Sequence, residues 1–196
     1  YGIGDVSNIH SYKDLEPVLK AAKEKDPKVT PFAIGKNFIP SDNFDYPITN
    51  NLPFAIDLEG DKTKIVNRYE VPRFLDSLRT IHKYYKAGYI PKDVATSDTT
   101  YELSQDTWLV REETVGPADY GNNLLSRVAN RNIEISQLTK NYKKNQTTQV
   151  ANFVISNNSK NKAKAMELLN LLNTDPELLN GLVYGPKGKN WEDVAG

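Results

Sequence analysis

Acidic side chains are the residues of this chain with the widest chemical reach. Its 25 Asp and Glu include two close pairs, Glu112-Glu113 and Asp57 with Glu59. Two opposed carboxylates across a cleft would do acid/base or nucleophilic work on a glycosidic bond. Neighbours in sequence do not by themselves give that opposition, and any chain this acidic contains such pairs. Only two histidines are present, His10 and His82. His82 falls on the buried side of a predicted helix, where a hydrogen-bonded core role is expected, and His10 is expected at the surface. There is no cysteine, which excludes disulfides, thiolate metal sites and thiol nucleophiles. Gly185-Pro186-Lys187-Gly188 lacks the spacing of a phosphate-binding loop. Nucleophile-elbow, zinc-protease and calcium-loop patterns are absent as well. The sequence specifies no catalytic residue, no metal ligand and no cofactor.

What remains is chemistry suited to holding a polar ligand. Trp108 and Arg111 lie on a strand-like run that leads into Gly116-Pro117-Ala118-Asp119-Tyr120. That turn offers backbone N–H groups, a carboxylate and an aromatic ring, so Trp108, Arg111, Pro117, Asp119 and Tyr120 form the first candidate binding group. Tyr184 with Trp191 forms a second. A third is the loop Lys36–Tyr46, with Asn37, Asn43 and Asp45. Each has a structural alternative: Trp108 as core, Gly116-Pro117 as a plain turn, and Tyr184 as packing at the end of its own helix.

The elements that must position these residues alternate between helix and strand. Leu15, Val18, Leu19 and Ala22 have the spacing of a buried helical stripe within Ser11–Lys25, with Ser11 as the expected cap and Pro17 bending its first turn. Val29–Ile34, Phe54–Leu58, Lys64–Asn67 and Thr107–Glu113 read as strands, Lys64–Asn67 as a hairpin partner. Pro72–Ala87 is a second helix, with Leu75, Leu78, His82 and Tyr85 on one face and Gly88 as its terminator. Leu124–Asn130 is a short helix and Gln149–Ile155 a strand. A helix follows over Lys160–Asn173, and another opens at Thr174, where Glu177 completes a capping box. Strands alternating with helices predict an α/β fold. Positive and negative side chains balance at 25 each, so the basic excess of a nucleic-acid binder is missing. Lys140, Lys143 and Lys144 read as a solvated turn. No run reaches the ~20 apolar residues of a membrane span.

The segment Val154-Ile155-Ser156-Asn157-Asn158-Ser159-Lys160-Asn161, running into Lys164-Ala165-Met166-Glu167-Leu168-Leu169, resembles the extracellular solute-binding proteins of the maltose-binding-protein-like superfamily. Asn173-Thr174-Asp175-Pro176-Glu177-Leu178-Leu179-Asn180 and Tyr184-Gly185-Pro186-Lys187-Gly188-Lys189 are similar to a Gram-positive lipoprotein branch of that superfamily. Ser11-Tyr12-Lys13-Asp14-Leu15 and Gly88-Tyr89-Ile90-Pro91 resemble its second-lobe motifs. Pro186 and Asn190-Trp191 depart from the branch pattern. The resemblance implies a periplasmic-binding-protein-like (type II) α/β lobe, a β-sheet flanked by helices, with residues 1–196 taken from a longer two-lobed protein. Residues 148–196 would then carry a crossover strand and helices towards the other lobe. It implies the substrate-binding component of an ABC importer, which captures an extracellular solute, most simply a sugar or oligosaccharide, and delivers it to ABC permease subunits. The parent would be a cell-surface lipoprotein, held at the membrane only through a lipid anchor. A glycoside-active enzyme and a peptide-binding or surface-interaction module are the alternatives.

Overall fold

The computed structural model describes residues 6–50, 52–114, 122–145 and 152–193. The chain divides into two compact units, Tyr1–Gln146 and Thr147–Gly196. The first begins with a 3-10 turn, Tyr12–Leu15, that runs into helix α1 (Glu16–Lys25). Ser11 stands at the N-cap but makes no capping bond to the backbone. Its hydroxyl instead donates to Asp14, which also accepts from the His10 amide. Pro17 sits in the opening turn of α1, where its missing N–H leaves no helical acceptor unpaired. Val18, Leu19 and Ala22 are buried, as their spacing predicts.

Strands β1 (Thr30–Ala33) and β5 (Trp108–Arg111) pair in parallel, Thr30 opposite Trp108 and Ala33 opposite Arg111. On its other side β1 donates a hydrogen bond from the Phe32 amide to the Tyr89 carbonyl, 3.0 Å. Between β1 and β5 the chain forms a separate antiparallel sheet of β2 (Phe44–Asp45), β3 (Phe54–Asp57) and β4 (Ile65–Asn67), in that order.

Helix α2 (Pro72–Ala87) serves both sheets. Its Phe74, with half-buried Leu78 beside it, packs on Phe44, Tyr46 and Ala55 of the antiparallel sheet. Its Tyr84, flanked by Ile81 and Tyr85, packs with Leu15, Leu19, Phe32, Tyr89 and Ile90 beside β1. Phe32, Phe44, Leu19 and Tyr84 are fully buried, and each such side chain contributes on the order of 2 kcal/mol through loss of apolar surface. His82 corrects the sequence reading. It is exposed, because the buried face runs through Phe74, Ile81 and Tyr84 and leaves position 82 on the solvent side.

Gly88 ends α2 as expected, at φ 72° and ψ 28°. The Tyr89 amide bonds back to the Tyr84 carbonyl and the Gly88 amide to Tyr85, which satisfies the last helical acceptors. Helix α3 (Asn122–Ala129) follows β5. The segment after it is tied back by Ser136 Oγ donating to the Val6 carbonyl, and by the Asn145 amide and side chain donating to Asp45. Lys140 reaches Glu59 and Lys144 the Asp42 carbonyl, so these lysines are partly engaged rather than simply solvated.

The second unit contains α4 (Lys162–Thr174) and α5 (Pro176–Tyr184), packed on each other. Two expectations are corrected here. Residues 152–155 form no strand, and 149–151 lie outside the described residues. The cap of α5 is Asp175 rather than Thr174: its carboxylate accepts from the Glu177 and Leu178 amides, both at 3.0 Å. Among the described residues no helix is long and apolar enough to cross a membrane.

Gly88→Ala forces a side chain into the left-handed region, with its Cβ 2.7 Å from Lys23 Nζ. The amine can swing away, so the expected loss is the backbone term of about 1–2 kcal/mol, read by urea unfolding. Tyr84→Phe removes the hydroxyl that donates to the Tyr12 carbonyl at 2.6 Å. A loss of about 1–2 kcal/mol is expected in the same assay.

Candidate functional site

Parallel strands in open α/β sheets place their ligand sites beyond their carboxyl ends. Here β1 and β5 end side by side at Ala33 and Arg111. Beyond them opens a cleft of about 490 Å³, within the size range of small-ligand sites. One wall is the segment Ala33–Phe38 that follows β1. The opposite wall is Ser97–Glu102, and the floor is closed by Arg111 and Glu112. A void of about 10 Å³ under Gly35, next to Pro91, Val94 and Tyr101, has room for one water at most.

Phe38 and Tyr101 are the half-buried aromatics of this cleft. Phe38 is propped edge-on against Phe32, ring centres 5.9 Å apart. Lys36, Asn37, Asp98, Thr99 and Thr100 are exposed and supply the polar groups. Lys36 and Asp98 pair with each other, linking the two walls. Arg111 donates to the Tyr101 carbonyl and to Glu113, so its guanidinium supports the second wall from behind.

Glu112 is the least solvated acid of the site. Burial pushes its carboxyl above the ordinary carboxylate value, against the opposing pull of hydrogen bonds from Ser41 and Tyr12. Tyr12 Oη donates to Glu112 Oε2 at 2.5 Å and accepts from the Ser41 amide at 2.7 Å. Ser41 Oγ donates to Glu112 Oε1. Burial and the adjacent carboxylate also push the Tyr12 phenol well up. The other close acid pair of the sequence, Asp57 with Glu59, is held by Arg73. Asp57 receives a bidentate bond from Arg73 at 2.7 and 2.6 Å, and Glu59 lies 3.5 Å from the same guanidinium. The Arg73 bond holds the Asp57 carboxyl below its ordinary value. Glu112-Glu113 and Asp57-Glu59 are thus tied into separate networks. Among the described residues, no group of three or more His, Cys, Asp or Glu converges as a metal site.

The residues singled out from sequence are distributed unevenly. Arg111 lines the cleft, as does Asn37 from the Lys36–Tyr46 loop. Trp108 stands behind it, only 6% exposed. Its indole N–H donates to the Glu102 carbonyl at 2.8 Å, and Arg131 lies 4.4 Å from its ring centre. Trp108 therefore fixes the end of the second wall and has no open face. Pro117, Asp119 and Tyr120 lie outside the described residues. Asn43 bonds Glu59 and Asp45 bonds Asn145, both away from the cleft lining. Tyr184 is exposed at the end of α5 in the second unit. Trp191 donates to the Gly185 carbonyl there, with Lys187 5.4 Å from its ring centre. Phe38, Tyr101, Asp98 and Thr99 line the cleft and were not singled out from sequence, and Glu112 was weighed only as a catalytic acid. The strand-like runs ending near residues 33 and 111, taken as a parallel pair, would have pointed to them.

No protein-family model matches the chain. Over its whole length it is 75% identical to a carbohydrate ABC transporter substrate-binding protein of Streptococcus pneumoniae serotype 4, of which it spans 40%. It superposes, at a TM-score of 0.86 and 75% identity, on the crystal structure of the N-glycan transport solute binding protein (NgtS) from Streptococcus pneumoniae. That match covers 98% of this chain and 42% of the other. Structures of the same protein in complex with Man1GlcNAc and Man5GlcNAc match at TM-scores of 0.78 and 0.74, both at 75% identity. They cover 100% and 98% of this chain, and 44% and 42% of theirs. The α/β fold expected from sequence is that of a solute-binding protein.

Glu112 and Asp57 impose opposite pH slopes on stability. The lowered Asp57 carboxyl stabilises the fold above its unfolded value near 3.9 and loses that contribution as pH falls through its folded value. The raised Glu112 carboxyl stabilises the fold below its unfolded value and loses that contribution as pH rises through its folded one. Thermal melts from pH 3 to 8 should show Asp57→Asn flattening the acid limb. Glu112→Gln should flatten the slope above about pH 4.5 and melt no lower than wild type at neutral pH. A Glu112→Gln melt that tracks wild type throughout would remove the burial account.

Proposed function

Taking as premise that the chain belongs, over the portion it spans, to the solute-binding proteins of carbohydrate ABC transporters, we propose that its parent protein captures an oligosaccharide in the cleft beyond β1 and β5. The observation that carries this reading is the cleft's position and lining. It opens at the carboxyl ends of two parallel strands, with aromatic and hydroxyl-binding side chains on facing walls. Phe38 and Tyr101 suit the C–H faces of sugar rings. Asn37, Asp98, Thr99 and Lys36 suit their hydroxyls, and Arg111 keeps the Tyr101 wall in place. The relative's complexes with Man1GlcNAc and Man5GlcNAc support a glycan of that class as the ligand. Pro117, Asp119 and Tyr120 follow β5 in sequence and are proposed as further ligand contacts on their chemistry alone.

In this reading the first unit is one lobe of a two-lobed receptor, and residues 148–196 lead towards the other lobe. Closure of the lobes would set affinity. The parent acts outside the cell, anchored by lipid, and hands its cargo to permease subunits. Capture needs no covalent step. The engagement of Glu112 by Tyr12 and Ser41, and of Glu113 by Arg111, favours binding over glycoside hydrolysis.

Calorimetric titration of the full-length parent with Man1GlcNAc should give saturable binding and no release of free sugar. Phe38→Ala and Tyr101→Ala should each weaken it by about tenfold, the worth of one lost ring contact of ~1.4 kcal/mol. Unchanged affinity in both variants would place the site elsewhere, and steady glycoside turnover would replace capture by catalysis.

A further inference from the structure

We propose that Glu112 is a positioning residue of the cleft: through Ser41 and Tyr12 it fixes the segment 35–41, which carries the first wall, without needing contact with the ligand. The inference rests on the capture reading for its binding arm alone. Among the described residues the wall has further restraints: Pro40 is buried and Phe38 packs against the core cluster. Beyond the end of β1 it has a single internal turn, the Phe38 amide bonding the Gly35 carbonyl at 3.0 Å. It also has the Phe38 ring against Phe32 and the exposed Lys36–Asp98 pair. Its far end is held at Ser41, twice: the amide bonds Tyr12 Oη and the hydroxyl bonds Glu112.

The direction of these bonds gives Glu112 its character. A backbone N–H can only donate, so Tyr12 Oη accepts from Ser41 and is left to turn its own hydrogen to Glu112 Oε2. Glu112 Oε2 is therefore always an acceptor. The Ser41–Oε1 bond is reversible, since a hydroxyl can donate or accept. An ionised Glu112 accepts twice; a neutral one donates from Oε1 to Ser41 Oγ and keeps every bond. A glutamine can do the same, its carbonyl facing Tyr12 and its amide facing Ser41. Positioning thus requires a carboxyl-shaped group rather than a charge. A direct contact to sugar hydroxyls through a carboxylate would require the charge.

The test compares Glu112→Gln, Glu112→Ala and Ser41→Ala in the full-length parent protein. Backbone hydrogen exchange of residues 35–41 is measured without ligand, followed by titration with Man1GlcNAc. Glu112→Gln should keep wild-type exchange and affinity within about twofold. Glu112→Ala should speed exchange across 35–41 and weaken binding by about tenfold or more. Ser41→Ala, a smaller change that keeps the amide bond to Tyr12, should speed exchange to a lesser degree and decides the matter if Glu112→Ala fails to fold. Affinity lost as fully in Glu112→Gln as in Glu112→Ala, with exchange unchanged, would make Glu112 a charge-dependent ligand contact and overturn the proposal. Unchanged exchange in Glu112→Ala would overturn it as well. If the parent ignores this glycan, the capture reading fails while the exchange measurement still decides the role of Glu112.

Discussion

Tyr12 is held at both of its polar ends, and the first unit is organised around that constraint. Its carbonyl accepts the hydroxyl of fully buried Tyr84, and its own hydroxyl joins Ser41 to Glu112. One residue thereby links the interior of α2 to the rim of the cleft. Its ring supplies the apolar part of the same link, packing near Phe32 with ring centres 6.4 Å apart. Burying a tyrosine hydroxyl without partners would oppose folding. The sequence meets that demand with two polar groups, the Ser41 amide and the Glu112 carboxyl, drawn from two distant segments.

The same economy governs α2. A helix with one apolar stripe would serve one sheet. This one turns Phe74 and Leu78 to the antiparallel hairpins and Tyr84 and Ile81 to the parallel pair, so both sheets are referenced to a common axis. Near its start, Arg68 lies buried among Tyr46, Tyr69 and Phe74, its guanidinium 4.9 to 5.5 Å from their ring centres, and it donates to both tyrosine hydroxyls. Delocalised charge on aromatic faces tolerates such a place where an ammonium would not. The hairpin sheet keeps its shape through this stack and the Asp57–Arg73 fork, and the cleft is left to the simpler two-stranded edge.

Local patterns carried the elements and failed at the site for a physical reason. The helical spacing of Val18, Leu19 and Ala22, the glycine at 88 and the hairpin partners at 54–58 and 64–67 are short-range signals, and the structure repeats them. The cleft is not short-range. Phe38 and Tyr101 are brought together only because β1 and β5 pair, and no window on the sequence contains both. Trp108 misled because a tryptophan on a strand suits a ligand platform and a core equally well, and its partners Glu102 and Arg131 lie on other segments. His82 misled by register: the stripe through Leu75 and Tyr85 is only half-buried, and the deeper one runs beside it through Phe74 and Tyr84. The run at 152–155, which forms no strand, shows the complementary error, since β-rich composition does not by itself make a strand.

The pairing of Thr30 with Trp108 also has a consequence in time. It closes a loop of about 80 residues, and such non-local contacts come late because the closure entropy precedes the reward. During synthesis at ~5–20 residues per second, several seconds separate the appearance of the two strands. Before β5 is made, β1 can pack on α1, Tyr12 and Phe38 and, once α2 is complete, on Tyr84, while the hairpin sheet forms on α2. The hairpin sheet and α2 can therefore form before the cleft, whose two walls meet only once β5 has paired with β1.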